Sequence, residues 1–185
     1  MINYLKNKPN RKLNRLILII GIALFCPIYY FNYHLISSLL TQNQVNELYT
    51  SFETDIFRGI IASIIQRGQL NDLLNVYLLN ILSACGFMFM FFSITLIIAR
   101  SVNPKSKFYQ VAFLFPILSI LIAVLDISAS LVFLIVIRNP SIISDLTTFF
   151  INGNYVLRIL LLSIVAFWVV LLGAILLIKK THKMN

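Results

Sequence analysis

The sequence predicts an all-α fold, an antiparallel four-helix transmembrane bundle with an extra amphipathic helix in the first outer loop. Three observations carry this prediction. Of 185 residues, 59% are hydrophobic and only 11% are charged, against roughly 45–50% and about 25% in soluble domains. The mean hydropathy is +0.90. The apolar residues gather into four runs, 16–35, 73–99, 111–137 and 155–178, each long enough for the about 20 residues that a bilayer crossing takes. So apolar a chain cannot hide its side chains in one core and still present a polar surface. It is also too hydrophobic to remain disordered. Residues 1–185 read as a single multi-pass membrane domain, because neither a repeat nor a low-complexity linker divides them.

The first run, 16–35, is too long for the apolar region of a cleaved signal peptide and lacks a small-x-small cleavage site. Phe25 before Cys26 speaks against lipoprotein processing. The run therefore reads as an anchor that stays in the membrane. It ends in Tyr29, Tyr30, Phe31, Tyr33 and His34, an aromatic belt of the kind found at membrane interfaces. Cys26 and Cys85 stand alone in different runs, so no disulfide framework or redox pair is expected.

Basic residues orient the bundle. Lys6, Lys8, Arg11, Lys12 and Arg15 precede the first run. Arg100, Lys105 and Lys107 join the second to the third, and Lys179, Lys180 and Lys183 follow the fourth. Against these, the other connections hold only Arg58, Arg67 and Arg138. The positive-inside bias places both termini in the cytoplasm. The net charge of +9 is thus spent at helix ends. No basic stripe alternates with aromatics, and nucleic acid is not expected as a partner.

The first outer connection is the only long one. Thr50-Ser51-Phe52-Glu53 fits a capping box. Ile56, Phe57, Ile60, Ile61, Ile64 and Ile65 then recur with helical spacing, and Gly68 supplies a stop. This predicts an amphipathic helix over about 52–67, either packed on the bundle or lying as a lid at the outer surface. The third-to-fourth connection is expected to run to Asn154, with turns at Asn139-Pro140 and at Asn152-Gly153-Asn154. Pro27 and Pro116 are placed to kink the first and third spans.

Asp126 is the most informative residue. A carboxylate in mid-span carries an insertion cost of roughly 2.5–3.5 kcal/mol, and such groups face the protein interior and mark functional sites by default. Ala112, Pro116, Ser119, Ala123, Asp126 and Ser130 fall on one helical stripe, the pattern of a tightly packed seam. The bland alternative is a carboxyl group that serves as glue between helices. In the second run, Asn80 precedes Ser83, Gly86, Met90 and Ser93 on a polar and small-residue face that can meet Asp126. In the fourth run, Ser163, Ala166, Val170 and Gly173 are the expected seam. Arg158 lies about 100° away from it, so snorkelling to the outer headgroups is the favoured reading. Pairing with Asp126 would require the third span to end early.

The candidate ligand or proton site is therefore Asp126, Asn80, Ser83, Ser119, Ser130 and Arg158. No catalytic set, metal set or cofactor is expected. His34 and His182 fall on opposite sides of the membrane, a single carboxylate makes no acid dyad, and there is no phosphate-binding glycine loop.

Tyr49-Thr50 before the outer helix, Gly68 after it, Asp126 in the third span and Arg158 at the head of the fourth resemble an uncharacterised family of small four-helix bacterial membrane proteins. The likeness covers about 49–178. In that family the aspartate is commonly followed by a Glu-Asn pair, which is missing from Ile127-Ser128-Ala129-Ser130. The resemblance implies the same four-helix fold and a special role for Asp126, and no activity.

The sequence points to a multi-pass membrane protein that binds a lipid or small apolar ligand, or that acts as a subunit of a membrane complex. The alternative is an oligomeric small-molecule or ion transporter using Asp126. An intramembrane enzyme is the weaker alternative, because Asn80 and Ser83 are its only nearby polar groups and neither is a strong acid or base. The expected partners are membrane lipids, and a second copy or other membrane proteins. Heavy use of Ile, Asn and Lys points to an AT-rich bacterial genome, and hence to the inner cell membrane.

Overall fold

The computed structural model describes residues 2–181. The chain forms α1 (Ile2–Asn7), α2 (Arg11–Leu39), α3 (Gln42–Thr50), α4 (Thr54–Gln66), α5 (Leu70–Ser101), α6 (Tyr109–Ala112), α7 (Leu114–Arg138) and α8 (Asp145–Thr181). A 3-10 turn, Pro140–Ile142, joins the last two. No strand occurs among the described residues. Among the described residues, four helical stretches are long and apolar enough to cross a membrane: α2, α5, α6 with α7, and most of α8. The first three predicted apolar runs lie inside these stretches, and the fourth, 155–178, overlaps one that covers Asp145–Ile175. His182 and Lys183 fall outside the described residues.

The long helices pack in chain order, α2 on α5, α5 on α7 and α7 on α8. Contacts progress in opposite directions along each pair, so neighbours are antiparallel. Asn14 meets Ser93 while Arg100 reaches back to Leu5. Tyr77 stacks on Phe133 while Asn80 reaches Asp126. Phe115 stacks on Trp168 at the far end of α7 from α3 and α4. The most apolar windows of α5 and α7 are 39% and 33% buried, against 6% for those of α2 and α8. The middle pair therefore forms the core, and the flanking pair turns apolar faces outward.

The α2–α5 crossing depends on glycine. A Cβ on Gly86 would stand 2.7 Å from the Phe25 nitrogen, and one on Gly21 would overlap the Met90 backbone. Small residues let two backbones approach this closely. Pro116 falls in the first turn of α7, where a missing N–H costs nothing. Its effect is the break at Phe113 between α6 and α7 rather than a mid-span kink. Pro27 stays inside α2.

The amphipathic helix expected over about 52–67 is present as α4, and the structure corrects what surrounds it. Thr50 is the last residue of α3, a helix the sequence reading did not contain. Glu53 caps α4 without a side-chain hydrogen bond. The chain turns between them at Phe52, whose φ is 56°. The capping box lies instead at Thr41 and Gln44, which start α3. That segment has the required Thr-x-x-Gln pattern, but no apolar run follows to advertise it. Gly68 does end α4, at φ 72°.

Phe57, Ile60, Ile61 and Ile64 face down from α4 into one core with Leu48, Leu73, Val76 and Phe133. Burying such side chains stabilises by about 1.5–3 kcal/mol each. Helices α3 and α4 thus cap one end of the bundle.

The last span also differs from the prediction. α8 begins at Asp145, so Asn152-Gly153-Asn154 lies within a helix and is not a turn. Three features hold the added turns helical. Ser144 and Thr147 exchange backbone-to-hydroxyl hydrogen bonds at the start. The Thr54 hydroxyl donates to Asp145. Ile151 is buried against the cap.

Candidate functional site

The predicted stripe does face inward: Ala112 at the end of α6 and Ser119, Ala123 and Ser130 on α7 are all buried. Asp126 sits on it, and three helices converge there. Asn80 on α5 donates from its amide nitrogen to Asp126 Oδ1 at 3.1 Å and to Ser130 Oγ at 2.8 Å. Arg158 on α8 donates from Nη1 to the same Oδ1 and forms an ion pair with Asp126. The side chains of Arg158 and Asp126 are 23% and 18% exposed.

The ion pair overturns the snorkelling assignment of Arg158, and helix length explains why. Asp126 lies twelve residues from the Arg138 end of α7, or about 18 Å of helix. Arg158 lies thirteen residues inside α8, about 20 Å from Asp145. In antiparallel neighbours those depths coincide. The expected seam on α8 is also corrected. Ser163 and Val170 are exposed, while Val165 is fully buried and Trp168 stacks on Phe115. α8 packs through bulky residues on the face that carries Arg158.

The remaining candidates divide. Ser83 is buried and lines a cavity beside Asp126. Ser119 stands apart, its hydroxyl donating to the Phe115 carbonyl one turn back.

Two adjoining cavities meet at the ion pair, and Tyr29, Asn80, Asp126 and Arg158 line both. The first, about 170 Å³, extends towards the cap between aromatic and amide side chains, among them Asn32, Tyr49, Tyr77, Asn154 and Tyr155. A water occupies about 30 Å³ of liquid, so this space suits a larger group. The second, about 260 Å³, runs the other way between Phe25, Ala84, Phe87, Ile122 and Leu162.

Sequence reasoning did not place the tyrosines. Tyr49 Oη and Tyr77 Oη are 3.0 Å apart. The Tyr49 ring stacks on Tyr155 at 4.7 Å, and the Arg158 guanidinium lies 4.9 Å from the centre of the Tyr155 ring. One signal was present: Tyr77 precedes Asn80, and Tyr155 precedes Arg158, by the three residues that share a helix face. Burial pushes the Tyr49 phenol up to about 12, although the hydrogen bond with Tyr77 and the Arg158 charge pull it down.

Among the described residues no group of three His, Cys, Asp or Glu side chains offers a metal site. The arrangement provides a charge-balanced polar floor, aromatic walls and a second cavity with an apolar side, suited to holding a molecule with a polar and an apolar part. The chain matches no protein-family model, no curated protein and no solved structure, so its own residues carry the functional reading.

Proposed function

We propose that this is a multi-pass membrane protein, with both termini cytoplasmic, that binds a single amphiphile from the outer leaflet. The head occupies the cavity under α3 and α4, and the tail follows the apolar cavity towards the bilayer centre. The observation that carries this reading is the meeting, at Asp126 and Arg158, of a cavity rich in tyrosine and asparagine side chains with a second one to which Phe25, Phe87, Ile122 and Leu162 add an apolar side. Concave sites with mostly apolar walls and a few convergent polar groups are the usual form of ligand sites.

Further support comes from the bundle surface. Leu157, Leu160, Ile164 and Phe167 on α8, and Leu16, Ile19 and Ile20 on α2, are exposed, a surface that lipid would cover. The basic residues gather at the end opposite the cap, as the positive-inside rule requires of a cytoplasmic face. Of the positions that carry the family resemblance, Tyr49, Asp126 and Arg158 all line the polar cavity. The transporter alternative needs Asp126 to exchange partners, and its engagement by both Arg158 and Asn80 favours a fixed binding site.

Native mass spectrometry of the protein purified in mild detergent tests this reading. Wild type should retain a defined adduct of amphiphile mass, and Asp126→Asn should lose it while keeping its helical content. Identical spectra with no retained adduct would contradict it.

A further inference from the structure

The head cavity contains polar atoms that the protein leaves without partners. Asn32 Oδ1 and Asn154 Nδ2 are buried and make no hydrogen bond among the described residues, and both residues line the cavity. Asp126 engages Asn80 and Arg158 through Oδ1 alone. Its Oδ2 makes no hydrogen bond among the described residues. Buried polar groups are almost always satisfied, and exceptions require an explanation.

We propose that the amphiphile carries a neutral, hydroxyl-bearing head of the glyceride kind, a proposal that rests on the amphiphile reading above. The free atoms specify this chemistry. Asp126 Oδ2 and Asn32 Oδ1 can only accept a hydrogen bond, while Asn154 Nδ2 can only donate one. A hydroxyl does both. An ester, a quinone carbonyl or a phosphodiester only accepts, and leaves the two oxygens unmatched. Charge selects in the same direction. Asp126 and Arg158 cancel, so the site has no net charge to offer an ionic head. A phosphate drawn to Arg158 would meet the Asp126 carboxylate beside it, and an ammonium drawn to Asp126 would meet the guanidinium. Breaking such a pair leaves an uncompensated charge in a low-dielectric site. A neutral diol adds hydrogen bonds to the pair without dividing it. The apolar side of the second cavity, formed by Phe25, Phe87, Ile122 and Leu162, then takes the acyl chain.

The test is a competition series on the full chain in detergent, read by native mass spectrometry. Monoolein, methyl oleate and dioleoylphosphatidylglycerol are the probes. The first two share an acyl chain and differ in whether the head can donate. Monoolein should bind at least tenfold more tightly than either other probe. Asn32→Ala and Asn154→Ala should each reduce that preference severalfold with an unchanged melting temperature. Equal binding of monoolein and methyl oleate would overturn the hydroxyl assignment and leave the amphiphile reading standing. A preference for the anionic lipid, whose glycerol head also carries hydroxyls, would overturn the neutral-head assignment and likewise leave the amphiphile reading standing. Failure of all three probes to bind a folded protein would overturn both.

Discussion

The hydroxyls of Tyr49 and Tyr77 lie 3.0 Å apart, one on the capping helix α3 and the other on α5. This hydrogen bond ties the lid of the polar cavity to its wall. Its dependence on pH follows from Tyr49. An unfolded tyrosine ionises near 10, and in the fold Tyr49 is pushed up to about 12 by burial. A phenol whose folded pKa is raised holds its proton more tightly in the native state. Its stabilising contribution is complete below pH 10 and is lost as pH rises towards about 12. At most about 2–3 kcal/mol is involved, at 1.36 kcal/mol per unit. Unfolding midpoints measured from pH 8 to 12 should fall above pH 10. They should fall less in Tyr49→Phe, which keeps the ring that stacks on Tyr155.

Asn80 is the second testable position. Its amide nitrogen bridges Asp126 and Ser130 across α5 and α7. Leucine has a similarly branched but bulkier side chain and leaves the buried Ser130 hydroxyl without that donor. Asn80→Leu should destabilise the protein by about 1–3 kcal/mol, the usual cost of an orphaned buried polar group. Thermal unfolding in detergent measures the change, and a rise in stability would count against the hydrogen-bonded arrangement.

Glycines provide an internal contrast. Gly86→Ala places a methyl 2.7 Å from the Phe25 backbone and should separate α2 from α5, costing about 1–3 kcal/mol through overpacking. Gly173 has nothing within 4 Å of its would-be Cβ. Gly173→Ala should be neutral, or stabilising by up to about 1 kcal/mol through helix propensity. Comparing the two variants separates a packing requirement from a general intolerance of alanine.

The helices were legible because their signal is redundant. Any stretch of twenty apolar residues reports a span, and α2, α5, α7 and α8 each contain one. The buried stripe through Ser119, Ala123, Asp126 and Ser130 was legible for the same reason, since helical periodicity survives without knowledge of neighbours. Arg158 was misplaced because hydropathy detects only the apolar part of α8. The polar turns from Asp145 to Asn154 are helical through contacts with α3 and α4 that no local pattern encodes. Once the helix begins three turns earlier, the arginine moves from the interface to the depth of Asp126. α3 was missed because its segment is polar, and the Thr41 capping box precedes no apolar run. The tyrosines were missed because they come from α3, α5 and α8, and only tertiary packing gathers them.

The ion pair between Asp126 and Arg158 is the centre of the account, and a double-mutant cycle tests it most directly. Unfolding free energies would be measured for wild type, Asp126→Asn, Arg158→Gln and the double variant in one detergent. Contacting residues show coupling of about 0.5–3 kcal/mol, whereas independent sites add to within about 0.3–0.5 kcal/mol. The double variant should lose less stability than the two single variants' losses added together, with coupling of at least about 1 kcal/mol. Additive losses would mean that Arg158 and Asp126 do not meet, and the site built on their pairing would not stand.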